Sequence, residues 1–78
     1  MSAEPEMTAS PARISVNGEE EPLVAPTVAA LLAQKEIAPD RRGVAVAVNG
    51  TVVPRTAWSS TPLHPGDRVE IVRVLQGG

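Results

Sequence analysis

The chain has 78 residues, a net charge of −2 and a 42% hydrophobic fraction, built mainly from Val, Ala, Leu and Ile. A chain this short buries only about 60% of its unfolded surface, so it holds one domain with a thin core. The absence of cysteine excludes a disulfide framework, a thiolate metal site and a cysteine nucleophile. Trp58 is the lone aromatic residue, too few for stacking nucleic-acid bases, and the acidic balance gives no general attraction to phosphate backbones or anionic membranes.

Residues 1–12 are rich in Pro, Ser, Ala and Glu without periodicity, the composition of a disordered leader; Met7 is a second candidate start. Acids stand where a signal peptide needs basic and then apolar residues, and no apolar run approaches the ~18 residues of a membrane span. The expectation is a cytoplasmic protein with no membrane or nucleic-acid partner, monomeric when free. The folded domain is placed at 13–75 and a flexible tail at 76–78.

Arg13 to Val16 alternates, Asn17-Gly18 supplies two residues that tolerate positive φ, and the chain returns through Glu19 to Leu23, which reads as a hairpin. Glu19, Glu20 and Glu21 read as a solvated edge that resists edge-to-edge aggregation. Thr27 reads as the N-cap of a helix over Val28 to Glu36, with Val28, Leu31, Leu32 and Ile37 as its apolar stripe and Pro39-Asp40 ending it. Arg41, Arg42 and Gly43 read as a solvated loop.

Val44 to Val48 is apolar on both faces and reads as a strand well inside a sheet. Asn49-Gly50 turns it into a second hairpin that ends at Pro54, a residue unable to donate to a ladder. The segment Arg55 to Leu63 reads as irregular, with Trp58 plugging the open end of the core beside Leu63. Pro65-Gly66-Asp67 is a turn that launches a last strand, with Val69 and Ile71 on one face and Val72 and Val74 on the other. The order strand, strand, helix, strand, strand, strand predicts an α+β protein of the β-grasp, ubiquitin-like plan. It is a mixed sheet of four to five strands with one helix packed across it and the two end strands as parallel neighbours.

No catalytic constellation emerges. His64 sits alone in a turn, Ser59, Ser60 and Thr61 lack a positioned base, and no glycine-rich junction forms a phosphate loop. The chain therefore reads as a non-enzyme with no metal site and no bound cofactor. Its distinctive feature is the terminal Gly77-Gly78. A terminal carboxylate is ionised at neutral pH and can attack the α-phosphorus of ATP when an enzyme brings them together. Glycines thread a narrow channel and leave the acyl carbon unobstructed. Displacement of AMP by a sulfur donor then leaves a thiocarboxylate, with no cysteine required.

Taken in order, Ala47-Val48-Asn49-Gly50, Val53-Pro54-Arg55, Trp58, Gly66-Asp67-Arg68-Val69-Glu70-Ile71 and the final Gly77-Gly78 resemble the ThiS family of thiamine-pathway sulfur carriers. The likeness covers about half the chain by motif and nearly all of Arg13 to Gly78 by layout; the leader departs from it. The resemblance implies adenylation of Gly78 by a ThiF-like enzyme using ATP and magnesium, sulfur transfer from a donor protein, and delivery to a ThiG-like thiazole synthase. Gly77 is assigned to tail threading. Leu75, the last large side chain, is the expected partner anchor, with Arg73 as a charged companion on the same strand face and Gln76 between anchor and glycines.

Three other readings fit the same pattern. The small subunit of molybdopterin synthase is also a β-grasp chain ending in Gly-Gly, but often approaches its tail through prolines where this chain has Arg73-Val74-Leu75-Gln76. A ubiquitin-like carrier or modifier of another pathway is the second. A β-grasp interaction module with an incidental Gly-Gly is the third. Thiamine or molybdenum-cofactor genes beside this one separate the first two carriers.

Overall fold

Ile14 and Val16 alternate with Arg13 and Ser15, and that alternation forms strand β1 (Arg13–Val16), which Asn17-Gly18 returns into β2 (Glu19–Pro22). Both turn residues sit at positive φ, 52° and 85°, as this two-residue hairpin requires. The computed structural model describes residues 12–74. The expected leader, apart from its last residue, and the tail at 76–78 lie outside the described residues.

Helix α1 (Val28–Gln34) begins as its sequence dictates, with the Thr27 hydroxyl accepting the Ala30 amide at 3.2 Å. Its end differs from expectation. The helix stops at Gln34, five residues before Pro39, because Glu36 adopts φ 62°. The Glu36 amide returns to the Ala33 carbonyl at 3.0 Å and the Ile37 amide to the Leu32 carbonyl at 2.9 Å. This reciprocal cap satisfies the helix's last carbonyls and swings Ile37 into the core. Glycine usually holds the left-handed position, so Glu36 concealed the stop.

Strands β3 (Val44–Val48), β4 (Thr51–Val53) and β5 (Arg68–Arg73) complete a sheet of order β2-β1-β5-β3-β4. β1 and β5 are parallel, and the other pairings are antiparallel. This is the β-grasp arrangement. The segment expected to be irregular instead contains a 3-10 helix, Arg55–Ser60. Pro54 holds φ at −65°, and the Ala57 amide closes a tight turn onto its carbonyl at 2.8 Å.

One face of the sheet carries the core. Ile14, Val16, Val46, Val69 and Ile71 meet Val28, Leu31 and Leu32 of the helix, while Trp58 and Leu63 close one end. The Trp58 ring nitrogen donates to the Val53 carbonyl at 3.0 Å, so the large ring is buried without an orphaned donor. The apolar second face of β3 is not covered: Val46 is buried, whereas Ala45 is exposed. The three acids of β2 also divide. Glu19 and Glu20 are exposed, but Glu21 is half-buried and reaches across to Lys35 at 3.0 Å. A partly exposed pair of this kind stabilises by under about 1 kcal/mol.

Gly43 has a requirement that the turn glycines lack. Its φ is 74°, and a Cβ there would stand 2.8 Å from the Val74 carbonyl oxygen, whereas at Gly50 (φ 84°) it would meet nothing within 4 Å. Gly43→Ala is therefore expected to destabilise by about 2–3 kcal/mol and Gly50→Ala by about 1 kcal/mol, since the second pays only for the left-handed backbone. Urea unfolding of the two variants checks this. Equal midpoints would show that the contact with Val74 is not a constraint.

Candidate functional site

The chain leaves the sheet from β5, and the geometry around that strand defines the site. β5 lies between β1 and β3. The two Asn-Gly turns brace it with side chains as well as backbone. Asn17 accepts the Ile71 amide at 2.8 Å and donates to the Ile71 carbonyl at 3.2 Å, so its amide group imitates the next rung of a ladder that β1 has already ended. Asn49 accepts the Arg68 amide at 2.9 Å and donates to the Asp67 carboxylate at 3.0 Å. Past these clamps, the Val74 amide donates to the Gly43 carbonyl at 2.7 Å. That bond is the last described tie before the tail.

Of the residues expected to act, Leu75, Gln76, Gly77 and Gly78 lie outside the described residues. Arg73 is described, exposed, and the last residue of β5. Its register partner is Val44, and it shares the helix side of the sheet with Val69 and Ile71. There it borders a polar cavity of about 360 Å³ together with Val16, Asn17, Glu19, Glu21 and Lys35.

The opposite face is chemically different. Val52 pairs with Ala47, and Ala45 with Val72, which lays an apolar strip across β4, β3 and β5. Val52, Val72 and Val74 are 71%, 56% and 58% exposed. The strip is edged by Glu70 and Arg68 and by the Arg13–Glu20 ion pair at 3.1 Å. The surface around the exit is thus apolar on the open face and charged on the helix face. The sequence reading placed partner contact at one sheet surface with Arg73 in it; the register separates Arg73 from the exposed valines.

The described residues contain no group of three or more His, Asp or Glu placed to hold a metal. His64 is exposed in its turn, and its amide donates to Asp67 at 2.8 Å. Asp67 therefore works as a turn cap.

Arg55 is structural. Its guanidinium lies 4.6 Å from the Trp58 ring centroid and donates to the carbonyls of Pro39 and Arg41. The reading from sequence missed the clamping roles of Asn17 and Asn49 and the close approach at Gly43. The available signal was that Asn carries an amide beyond what a turn needs.

No described helix is long and apolar enough to cross a membrane. In comparison with known proteins, a thiazole synthase of Paramagnetospirillum magneticum is 39% identical over 67 residues, covering 85% of this chain. The match takes up 20% of that relative, so the chain spans about a fifth of its length. The crystal structure of the thiamine biosynthesis protein ThiS from Geobacter metallireducens matches with a TM-score of 0.69 at 30% identity, covering 85% of this chain and 99% of that one. A solution structure of a thiamine biosynthesis protein from the same organism gives 0.68 at 30% identity, covering 85% and 87%. The model of the ThiS family matches residues 11–78, nearly the whole chain. Membership therefore rests on the sheet, the motifs and the matched length together: the chain belongs to the ThiS family.

Proposed function

We propose that this protein is a sulfur carrier for thiazole formation in thiamine biosynthesis, acting in the cytoplasm as a co-substrate of partner enzymes rather than as an enzyme. The observation that carries the reading is the relative named a thiazole synthase, one fifth of whose length resembles this chain. A carrier-like segment joined to a protein of that name raises the effective concentration of one for the other. The described residues suit a carrier in one respect: they hold the strand that leads to the terminus firmly.

In this reading an oxygen of the Gly78 carboxylate attacks the α-phosphorus of ATP, held with magnesium by a ThiF-like enzyme, and pyrophosphate leaves. Hydrosulfide released by the donor protein adds through sulfur to the acyl carbon, the bond from that carbon to the AMP oxygen breaks, AMP departs, and loss of the sulfur-bound proton leaves the terminus as a thiocarboxylate. A ThiG-like thiazole synthase accepts the sulfur. Gly77 supplies the clearance for threading, and Leu75 anchors the partner, with Gln76 and Arg73 beside it.

Two measurements test the proposal. Incubation with the activating enzyme, ATP and hydrosulfide is expected to add the mass of one oxygen-for-sulfur exchange at Gly78, read by intact-mass spectrometry. No shift with an enzyme active on its own carrier would remove the reading. Binding separates anchor from chemistry. Leu75→Ala is expected to weaken the complex by about 1–2 kcal/mol, roughly five- to thirtyfold in affinity. Deleting Gly78 is expected to leave affinity near that of the parent and to abolish adenylation. The reverse pattern, in which Leu75→Ala binds normally and the deletion does not, would place the anchor at the terminus.

A further inference from the structure

The tripeptide Val-Asn-Gly occurs twice, at Val16 to Gly18 and at Val48 to Gly50. In each, glycine has no side chain to hinder the approach of its backbone nitrogen to the side-chain carbonyl carbon of the Asn before it. A Cβ at either glycine would meet nothing within 4 Å, so both turns stand open to water. Local chemistry is therefore the same at the two sites, and the fold alone separates them. Asn17 is tied to both backbone groups of Ile71, a core residue, through part-buried bonds. Asn49 is tied at the surface: its side-chain carbonyl accepts the Arg68 amide at 2.9 Å and its side-chain amide donates to the Asp67 carboxylate at 3.0 Å, both bonds exposed.

We propose that Asn49 is a site of spontaneous deamidation, and that the change turns the clamp at the start of β5 from an attraction into a repulsion. The Gly50 nitrogen attacks Cγ of Asn49, the Cγ–Nδ2 bond breaks, and the Gly50 amide proton passes through water to the departing ammonia. Water then opens the cyclic imide at either of its carbonyls, leaving aspartate or isoaspartate with a carboxylate in place of the amide. Water is the only co-reactant. The reaction starts from states in which the side chain has left its partners, and exposed bonds open at less cost than part-buried ones. In the product, an oxygen replaces the donor that stood 3.0 Å from Asp67 Oδ1, so two carboxylates oppose each other. Asp67 also accepts the His64 amide at 2.8 Å through Oδ2 and the Ser15 amide at 3.0 Å through its backbone carbonyl. Its displacement therefore loosens the turn before β5 and the junction of β1 with β5. At Asn17 the same change would face the neutral Ile71 carbonyl instead. The inference is independent of the carrier reading.

Incubation of the parent protein at neutral pH, followed by proteolysis and mass spectrometry, reads the change as one amide-to-acid exchange in each Asn-containing peptide. In the native protein Asn49 is expected to react at least about fivefold faster than Asn17, and in urea the two rates are expected to agree within about twofold, because unfolding leaves only the shared tripeptide. Equal native rates, a faster Asn17, or a difference that persists in urea would overturn the proposal. So would an Asn49 that stays intact in the native protein while it reacts in urea. The consequence is read on variants. Asn49→Asp is expected to speed amide exchange at Arg68 by roughly tenfold, and Asn49→Asp combined with Asp67→Asn to return it to within about twofold of the parent, because the exchanged pair again joins one donor to one carboxylate. Parental exchange in Asn49→Asp, or no recovery in the double variant, would show that the two carboxylates do not oppose each other and would overturn the switch.

Discussion

β3 pairs with β5 as far as Arg73, but β1 holds it only as far as Val69, and the fold makes up that one-sided shortfall with side-chain amides. Asn17 bridges the gap by engaging both backbone groups of Ile71. At the strand's start Asn49 does the corresponding work at Arg68. The two hairpin turns are thus anchors for the strand that carries the exit. Were β5 free to slip by one residue, Val69 and Ile71 would leave the core and the open-face valines would enter it. In so small a domain, where thirteen of the described apolar residues form the core, such a slip would remove a large part of the buried area.

The sequence made much of the fold legible. Strand alternation at Arg13–Val16 and Arg68–Arg73, two Asn-Gly turns and the Thr27 cap are local signals, and each holds in the structure. What was hidden depends in part on one local cap and in part on contacts far apart in the chain. Glu36 at a left-handed position does not announce a helix stop, because only the Leu32 and Ala33 carbonyls make that conformation worthwhile. The two-faced apolarity of Val44–Val48 reads as burial on both sides, yet alanines on the open face are small enough to stand beside exposed valines. The face of Arg73 follows from its register with Val44, a pairing that no local pattern states. Gly43 reads as one more loop glycine until Val74 is found against it.

The candidate site divides along the same line. The chemistry proposed for it was suggested by the residue types of Gly77-Gly78 alone. Its support was not, because Asn17, Asn49, Gly43 and Arg55 act by reaching partners 14 to 54 residues away. The domain separates three tasks in space. A core fixes the strand, an apolar open face offers a grip, and the terminus carries the reaction proposed for it. In the reaction proposed above, such separation leaves activation to partner enzymes while this chain contributes the terminal carboxylate and its position.

Hydrogen exchange at two amides tests most directly whether the Asn clamps hold β5. Asn17→Gly and Asn49→Gly keep the left-handed backbone available and remove only the side-chain amides. Because the Ile71 and Arg68 amides donate directly to Asn17 and Asn49, each variant should speed exchange selectively at its own partner, Ile71 for the first and Arg68 for the second. The account predicts an acceleration of roughly tenfold or more at the matched amide and little at the other. Protection at Ile71 that survives Asn17→Gly, or equal acceleration at both amides in either variant, would contradict it.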